Sequence, residues 1–238
     1  MARLWIVVLA ATLGCAQPVS RRGLDLTPCA VDALAEEAQC GVLDVLEDDA
    51  NGNGRRIALH VAVLPAQAAA PAPDPLFVFA GGPGQGARSY AALFSRAFRA
   101  IRHDRDLVFI DFRGTGDSGP LGCRNLRDDE AEPLFWRVTT SDVAACLSAL
   151  DADVRFYAHD AVLADVERVR ASLGYDQINI WGGSYGTRAA LLYALEHPER
   201  VRTLTLDGAV PLEQRFPLST AEDGQRALDL LLQRCAAR

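Results

Sequence analysis

The residues best suited to chemistry form the segment Gly182-Gly183-Ser184-Tyr185-Gly186. It matches the pattern G-x-S-x-G, in which a serine lies on a sharp turn between a strand and a helix with its hydroxyl exposed. Gly182, Gly183 and Gly186 leave room for such a turn, because larger residues would collide there. A serine held in this way is a nucleophile for acyl transfer, so Ser184 is the predicted catalytic residue.

Acyl transfer also needs two hydrogen-bond donors for the oxyanion of its tetrahedral intermediate. The backbone N–H of Tyr185, directly after the serine, is the first predicted donor. The second is expected from Gly82, with Gly81 as the alternative, in the segment Gly81-Gly82-Pro83-Gly84. A phosphate loop is a poorer interpretation of these glycines, because no Gly-Lys-Ser/Thr follows and Pro83 has no N–H to donate.

Apolar runs directly before the glycine-rich loops predict the strands that position these residues. Runs that are apolar on both faces are typical of a parallel sheet covered by helices. The predicted strands span residues 76–80, 107–110, 178–181 and 201–206, and the predicted helices span residues 87–102, 160–173 and 187–196. This alternation predicts a doubly wound α/β fold whose chemistry gathers at the carboxyl ends of the strands.

Three segments, in their order and spacing, resemble signatures of a known family: residues 81–84 (GGPG), 111–118 (DFRGTGDS) and 182–187 (GGSYGT). The family is the proline iminopeptidase and tripeptidyl aminopeptidase group of α/β-hydrolases, and the secreted tripeptidyl branch is the nearer match. The resemblance runs from about Leu76 to Pro211. It implies an α/β-hydrolase fold and serine-dependent removal of residues from peptide N-termini. Two departures, Ala80 where many members have His and Phe112 where Gln is usual, bear on the substrate and not on the fold.

The base and the acid of a catalytic triad are not found where this fold needs them, since both follow the nucleophile along the chain. Only His197 follows Ser184, and the intervening helix would separate them by about 20 Å. Asp207 ends the strand that follows the nucleophile strand, a position that supplies the acid in some hydrolases. The resembling family, however, has its acid one strand later. His159 starts a predicted helix near the correct edge of the sheet, yet it precedes the serine, so a capping or surface role is favoured. The sequence therefore predicts an N-terminal fragment that lacks the downstream Asp and His and is inactive alone.

The first 16 residues predict export. A flank ending in Arg3, an apolar stretch over residues 4–13 and closing small residues are typical of a secretory signal. The apolar stretch rises only about 15 Å as a helix, half of a roughly 30 Å hydrocarbon core, so no transmembrane span is expected. Cleavage after Ala16 and lipidation at Cys15 both remain open. The predicted location is the periplasm, the medium or the cell envelope with a lipid anchor.

Export permits disulfides, which makes the cysteines informative. Cys29 with Cys40 and Cys123 with Cys146 are natural local pairs. Cys235 is then left without a partner. This is a hint that the chain stops early, although a buried free thiol is the alternative.

The remaining sequence divides into a hairpin and its connection over residues 17–75, an α/β-hydrolase core over residues 76–210, and the start of a helical cap over residues 211–238. The net charge of −7 and the lack of a basic run argue against nucleic acid as a partner. All 24 basic residues are arginine, which excludes lysine chemistry. No cofactor is predicted, and no metal, since no Cys/His spacing suits zinc.

Three functions remain in competition. The resemblance favours an exported serine aminopeptidase that acts on peptides with a free N-terminus. The first alternative is an esterase or lipase of the same fold, and the second is a non-catalytic exported protein that has kept the fold. The intact serine turn and Gly-Gly-Pro-Gly loop favour an enzyme, because binding alone does not require a strained serine.

Overall fold

The structure is a computed structural model that describes residues 20–21, 23–123, 138–214 and 218–237. The predicted export signal, with Cys15 and Ala16, lies outside the described residues. Near the start of the described chain, β1 (Ser20–Arg21) and β2 (Leu24–Asp25) form a small antiparallel pair.

A seven-stranded sheet forms the centre of the fold, in the order β3-β4-β5-β7-β6-β8-β9. Its strands are β3 (Thr27–Cys29), β4 (Ala38–Leu46), β5 (Arg56–Leu64), β6 (Leu76–Phe79), β7 (Leu107–Ile110), β8 (Ile178–Gly183) and β9 (Val201–Asp207). Strands β6 to β9 are parallel to one another, and β3, β4 and β5 add to β7 through antiparallel pairings. The predicted α/β-hydrolase fold is thus confirmed, with a mixed sheet.

Helices cover both faces of the sheet, which is why every residue of β6 and β7 is buried. The helices are α1 (Ala91–Ala97), α2 (Arg99–Asp104), α3 (Thr140–Ala149), α4 (His159–Ser172), α5 (Gly186–Glu196) and α6 (Leu218–Ala236). One apolar core joins α4 and α5 to the sheet through Val166, Ala190 and Tyr193, all fully buried. A second core contains Phe94 of α1.

The predicted helix over residues 87–102 is interrupted. A 3-10 turn over Ala87–Tyr90 precedes α1, and Phe98 separates α1 from α2 with φ −102° and ψ 25°. The ring of Phe98 stacks on Phe94 at 5.1 Å and meets Trp181 at 5.9 Å between centroids. The break at Phe98 therefore accompanies packing against Trp181, a residue distant in sequence. Local helical preference alone does not predict this break.

A buried ion pair joins the loop after β7 to α4. Arg113 donates two hydrogen bonds to Asp165, each of 2.7 Å, and both side chains are 1% exposed. The remaining donors of Arg113 bond to backbone carbonyls, among them those of Glu47 at 3.0 Å and Phe156 at 2.8 Å. The pair is thus hydrogen-bonded on all sides, as a buried charge must be if the fold is to accept it.

Asp74 lies just before β6, at the end of the sheet opposite the predicted site. Its carboxylate accepts hydrogen bonds from Asn179 at 2.8 Å, from Arg105 at 2.9 Å and from Arg202. Burial alone would raise the pKa of Asp74, but these three donors lower that pKa to about 2, from an ordinary value of 3.8. The ionised carboxylate therefore ties the loop before β6 to α2, β8 and β9.

We expect this cluster to make the stability of the protein pH-dependent in acid. Because the folded pKa lies below the unfolded one, the contribution is fully present above about pH 4 and is lost as the pH falls from 3.8 towards 2. Asp74→Asn should lower the free energy of unfolding at pH 7 by about 2 kcal/mol. Urea unfolding of both proteins at several pH values checks this, and a difference that stays constant down to pH 2 would contradict it.

Strand β9 is the edge of the sheet, and its apolar residues are partly buried. Helix α6 is exposed from Thr220 to its end, with Leu228, Leu231 and Leu232 each about half exposed or more. Cys235 on α6 is free and exposed, so the alternative of a buried thiol is wrong. No described helix is long and apolar enough to cross a membrane.

Both predicted cysteine pairs have disulfide geometry at the backbone. The Cα atoms of Cys29 and Cys40 are 5.7 Å apart, and those of Cys123 and Cys146 are 5.3 Å apart, within the range that a disulfide spans. The first pair bridges β3 and β4, and the second ties the loop before the undescribed residues 124–137 to α3. These pairs are compatible with an exported protein.

Candidate active site

Ser184 lies on the turn between β8 and α5 in a backbone conformation that residues other than glycine rarely adopt, with φ 51°. Its backbone N–H donates to the carbonyl of Asp207 at 2.8 Å. Its carbonyl accepts from the backbone N–H of Thr187 at 3.0 Å and from the Thr187 hydroxyl at 2.6 Å. Bonds on both sides of the residue hold this strained geometry in place.

The glycines around the serine bring backbone against backbone. A Cβ atom at Gly186 would lie 2.2 Å from the carbonyl oxygen of Phe79 and 2.7 Å from that of Ala80. A Cβ atom at Gly182 would lie 2.7 Å from the carbonyl oxygen of Gly186. Helix α5 therefore begins directly against the end of β6, an approach that any side chain would prevent.

The Gly81–Gly82 loop passes close to the serine. A Cβ atom at Gly81 would lie 3.2 Å from the Cβ of Ser184, and Gly82 has φ 114°, which favours glycine. Tyr185 is the N-cap of α5, so its amide points out of the first turn. Within the described part of the chain, no residue accepts a hydrogen bond from the amide of Gly82 or of Tyr185.

A cleft of about 600 Å³ opens beside Ser184 at the carboxyl ends of the strands. The described residues that line it are Ala80, Gly81, Gly82, Gln85, Tyr90, Leu93, Phe94, Trp181, Gly183, Ser184, Asp207 and Gly208. The sequence motifs identified the glycines, the serine and Asp207. The motifs missed Leu93 and Phe94 of α1 and Trp181 of β8, because these residues belong to no motif and only the packing of α1 against β8 brings them to the cleft.

His159 is the first residue of α4, and Ala158 is the N-cap without a side-chain hydrogen bond. Of the two roles expected for His159, capping is therefore wrong, and the residue is half-buried at the surface. The imidazole ring lies 5.3 Å from the ring of Tyr185, and its Nε2 is buried with no partner among the described residues. Burial and the nearby Arg188 lower the pKa of His159. Burial also raises the pKa of Tyr185. The imidazole of His159 thus packs against Tyr185, the residue that follows the serine.

All four histidines belong to the described residues, and none lines the cleft at Ser184. His60 lies on β5, where its backbone N–H donates to the hydroxyl of Ser118 at 2.9 Å. His103 contacts Asp104 near the end of α2, at 2.6 Å. His197 follows the end of α5, with its ring 4.9 Å from that of Tyr193. His60, His103 and His197 therefore contact residues outside the lining of the cleft.

The segment of residues 111–118 organises loops. The Asp111 carboxylate accepts the backbone N–H groups of Arg88 and Asp117, each at 3.0 Å. Cβ atoms at Gly86 and Gly116 would lie 2.6 Å and 2.3 Å from that carboxylate. These glycines let two loops close around one buried carboxylate, so this motif holds the scaffold near the cleft without lining it.

Residues 74–234 match the alpha/beta hydrolase fold family. The chain is 31% identical to the serine protease Hip1 of Mycobacterium tuberculosis, a match that covers 82% of this chain and 41% of that protein. It is 27% identical to the tripeptidyl aminopeptidase of Streptomyces coelicolor, over 80% of this chain and 39% of that protein. It is 33% identical to the proline iminopeptidase of Neisseria gonorrhoeae, over 56% of this chain and 32% of that protein. The chain thus spans about two fifths or less of the length of these relatives.

Proposed function

The chain belongs to the α/β-hydrolase family, and on this basis we propose that it is the nucleophile-bearing part of a serine hydrolase of the aminopeptidase type. Its substrates are peptides with a free N-terminus, from which it releases residues or short peptides. The observation that carries the proposal is the strained Ser184, with φ 51°, at the wall of an open cleft. The names of the relatives, a serine protease, a tripeptidyl aminopeptidase and a proline iminopeptidase, support the choice of peptides.

In the proposed reaction, Ser184 Oγ forms a bond to the carbonyl carbon of the substrate while a base accepts its proton. The oxyanion then takes hydrogen bonds from the N–H groups of Tyr185 and Gly82, which have no other acceptor among the described residues. The proton passes to the leaving amine as the C–N bond breaks. Water attacks the acyl-enzyme in the same way and restores the serine.

The base is proposed to come from residues that this chain does not contain. None of its four histidines lines the cleft, and in this fold the acid and the histidine follow the nucleophile. Without a base, the hydroxyl of Ser184 is a weak nucleophile at neutral pH. The 238-residue chain is therefore proposed to be almost inactive by itself, and the activity belongs to a protein that adds the acid and the base.

Export is part of the proposal. The two cysteine pairs at disulfide distance support an oxidising compartment, and the first 16 residues supply a candidate signal. The protein is proposed to reside in the periplasm, in the medium or, if Cys15 carries a lipid, at the cell envelope.

The decisive test uses the protein as its own cells produce it. The substrates are leucine p-nitroanilide and alanyl-alanyl-leucine p-nitroanilide, which cover the release of one residue and of a short peptide. We expect at least one of them to be cleaved with a kcat/KM at least 100-fold above that of its N-acetylated form, because an aminopeptidase binds the free amine. The control substrate is p-nitrophenyl butyrate. Rapid cleavage of the ester with no anilide cleaved would instead indicate an esterase, and no cleavage of any of these substrates would contradict an enzyme.

A further inference from the structure

One wall of the cleft at Ser184 is apolar. It consists of Leu93 and Phe94 from α1 and Trp181 from β8, which we call the aromatic wall. The ring of Phe94 lies 4.6 Å from the ring of Trp181, so the wall is continuous between the helix and the strand. Aromatic surfaces of this kind bind apolar side chains through dispersion and removal of water.

Leu93 stands out because it faces solvent. Its neighbours Ala91, Ala92 and Phe94 are buried, whereas Leu93 is 58% exposed and lines the cleft. An exposed leucine contributes little to the stability of the fold, but covering it with a ligand removes apolar surface from water and so stabilises the complex. Its position therefore suits contact with something that enters the cleft.

The place of Trp181 depends on a glycine of the serine turn. Side chains two residues apart on a strand point to the same face, so Gly183 follows Trp181 on that face. A Cβ atom at Gly183 would lie 2.5 Å from Cη2 of the indole. The missing side chain lets the indole extend along the strand to the cleft, directly beside the nucleophile.

The charge of the lining completes the pattern. Asp207 is the only charged side chain among the described residues that line the cleft. A second carboxylate in this space would meet a like charge. The cleft thus disfavours an acidic side chain, while its largest contact surface is apolar.

We propose that the aromatic wall is the subsite for the side chain of the residue whose carbonyl Ser184 attacks, and that it selects an apolar side chain of the size of leucine or phenylalanine over an acidic one. This inference rests on the proposed function in one respect, namely that the bound residue presents its carbonyl to Ser184. The recognition itself is non-covalent, so it is measurable without turnover.

The test measures binding by calorimetry on the chain with Ser184→Ala, which cannot react. Phenylalanine amide and glutamic acid α-amide are the probes. We expect the first to bind at least 10-fold more tightly. Adding Leu93→Ser should reduce that ratio several-fold, while Leu195→Ser, which changes an exposed leucine on α5 outside the cleft, should leave it unchanged.

Two results would overturn the inference: equal affinity for the two amides, or an equal effect of Leu93→Ser and Leu195→Ser. Trp181→Ala should abolish the preference, and because Leu93 is exposed, its variant remains informative even if the tryptophan variant fails to fold. The outcome is separable from that of the proposed function. If Ser184 proves unreactive towards acyl groups while the amide preference persists, the proposed function fails and the apolar subsite stands.

Discussion

Replacing Ser184 with alanine is expected to remove acyl transfer from this chain completely. With p-nitrophenyl acetate as donor and added imidazole as base, Ser184 Oγ should form an ester with the acetyl group. Imidazole accepts the serine proton and p-nitrophenolate leaves, so the step balances. Mass spectrometry of the tryptic peptide of residues 171–188 should find the acetyl group on Ser184, and none in Ser184→Ala. In enzymes with a complete triad, loss of the serine alone costs on the order of 10⁶-fold in kcat.

The control variant is Ser95→Ala, which removes a hydroxyl outside the cleft lining that donates to the carbonyl of Ala92 within α1, at 3.0 Å. It should be acetylated at Ser184 as the unmodified chain is. The imidazole is itself part of the prediction, because none of the histidines lines the cleft. Acetylation that is equally fast without imidazole would show that the chain holds its own base. If Ser95→Ala, like Ser184→Ala, is acetylated only at residues other than Ser184, then Ser184 is not the nucleophile.

The largest effect on stability is expected at the buried ion pair. Asp165→Ala leaves the 1% exposed guanidinium of Arg113 without its counter-charge, so we expect the free energy of unfolding to fall by about 3–5 kcal/mol. The matched control is Asp49→Ala, whose carboxylate forms an exposed pair with Arg168 at 2.6 Å and should cost less than about 1 kcal/mol. Urea denaturation followed by circular dichroism measures both.

A double variant shows whether the cost comes from the charge left alone. In Arg113→Met/Asp165→Leu, both charges are replaced by apolar groups of similar size, and the loss should be clearly smaller than in Asp165→Ala. A double variant that is as unstable as the single one would mean that the bonds of Arg113 to the carbonyls of Glu47 and Phe156 matter more than the pair.

Much of the sheet can be predicted from the sequence, because parallel strands that are buried on both faces must be continuously apolar. The run of residues 107–110 matches β7 at both ends, and that of residues 178–181 extends to Gly183. The serine turn is equally readable, since only glycines fit at Gly182 and Gly186. These are features that local sequence determines through steric limits.

The parts that the sequence does not show depend on contacts between distant residues. At the break between α1 and α2, the ring of Phe98 contacts the rings of Phe94 and Trp181. The helical period of residues 87–102 does not predict this break. The environment of His159 depends on Tyr185, more than twenty positions away. Gly183 looks like an ordinary residue of the turn until the indole of Trp181 is seen to occupy the space of its missing side chain.

The contact of Gly186 with the carbonyls of Phe79 and Ala80 has a consequence for protein engineering. Because backbone meets backbone there, no neighbouring side chain can be repacked to move the nucleophile. Random libraries should therefore show near-complete intolerance at Gly186 and Gly182, together with wide tolerance at Leu93. Directed evolution of new selectivity is therefore expected to change residues that line the cleft and to leave the turn that carries the serine unchanged.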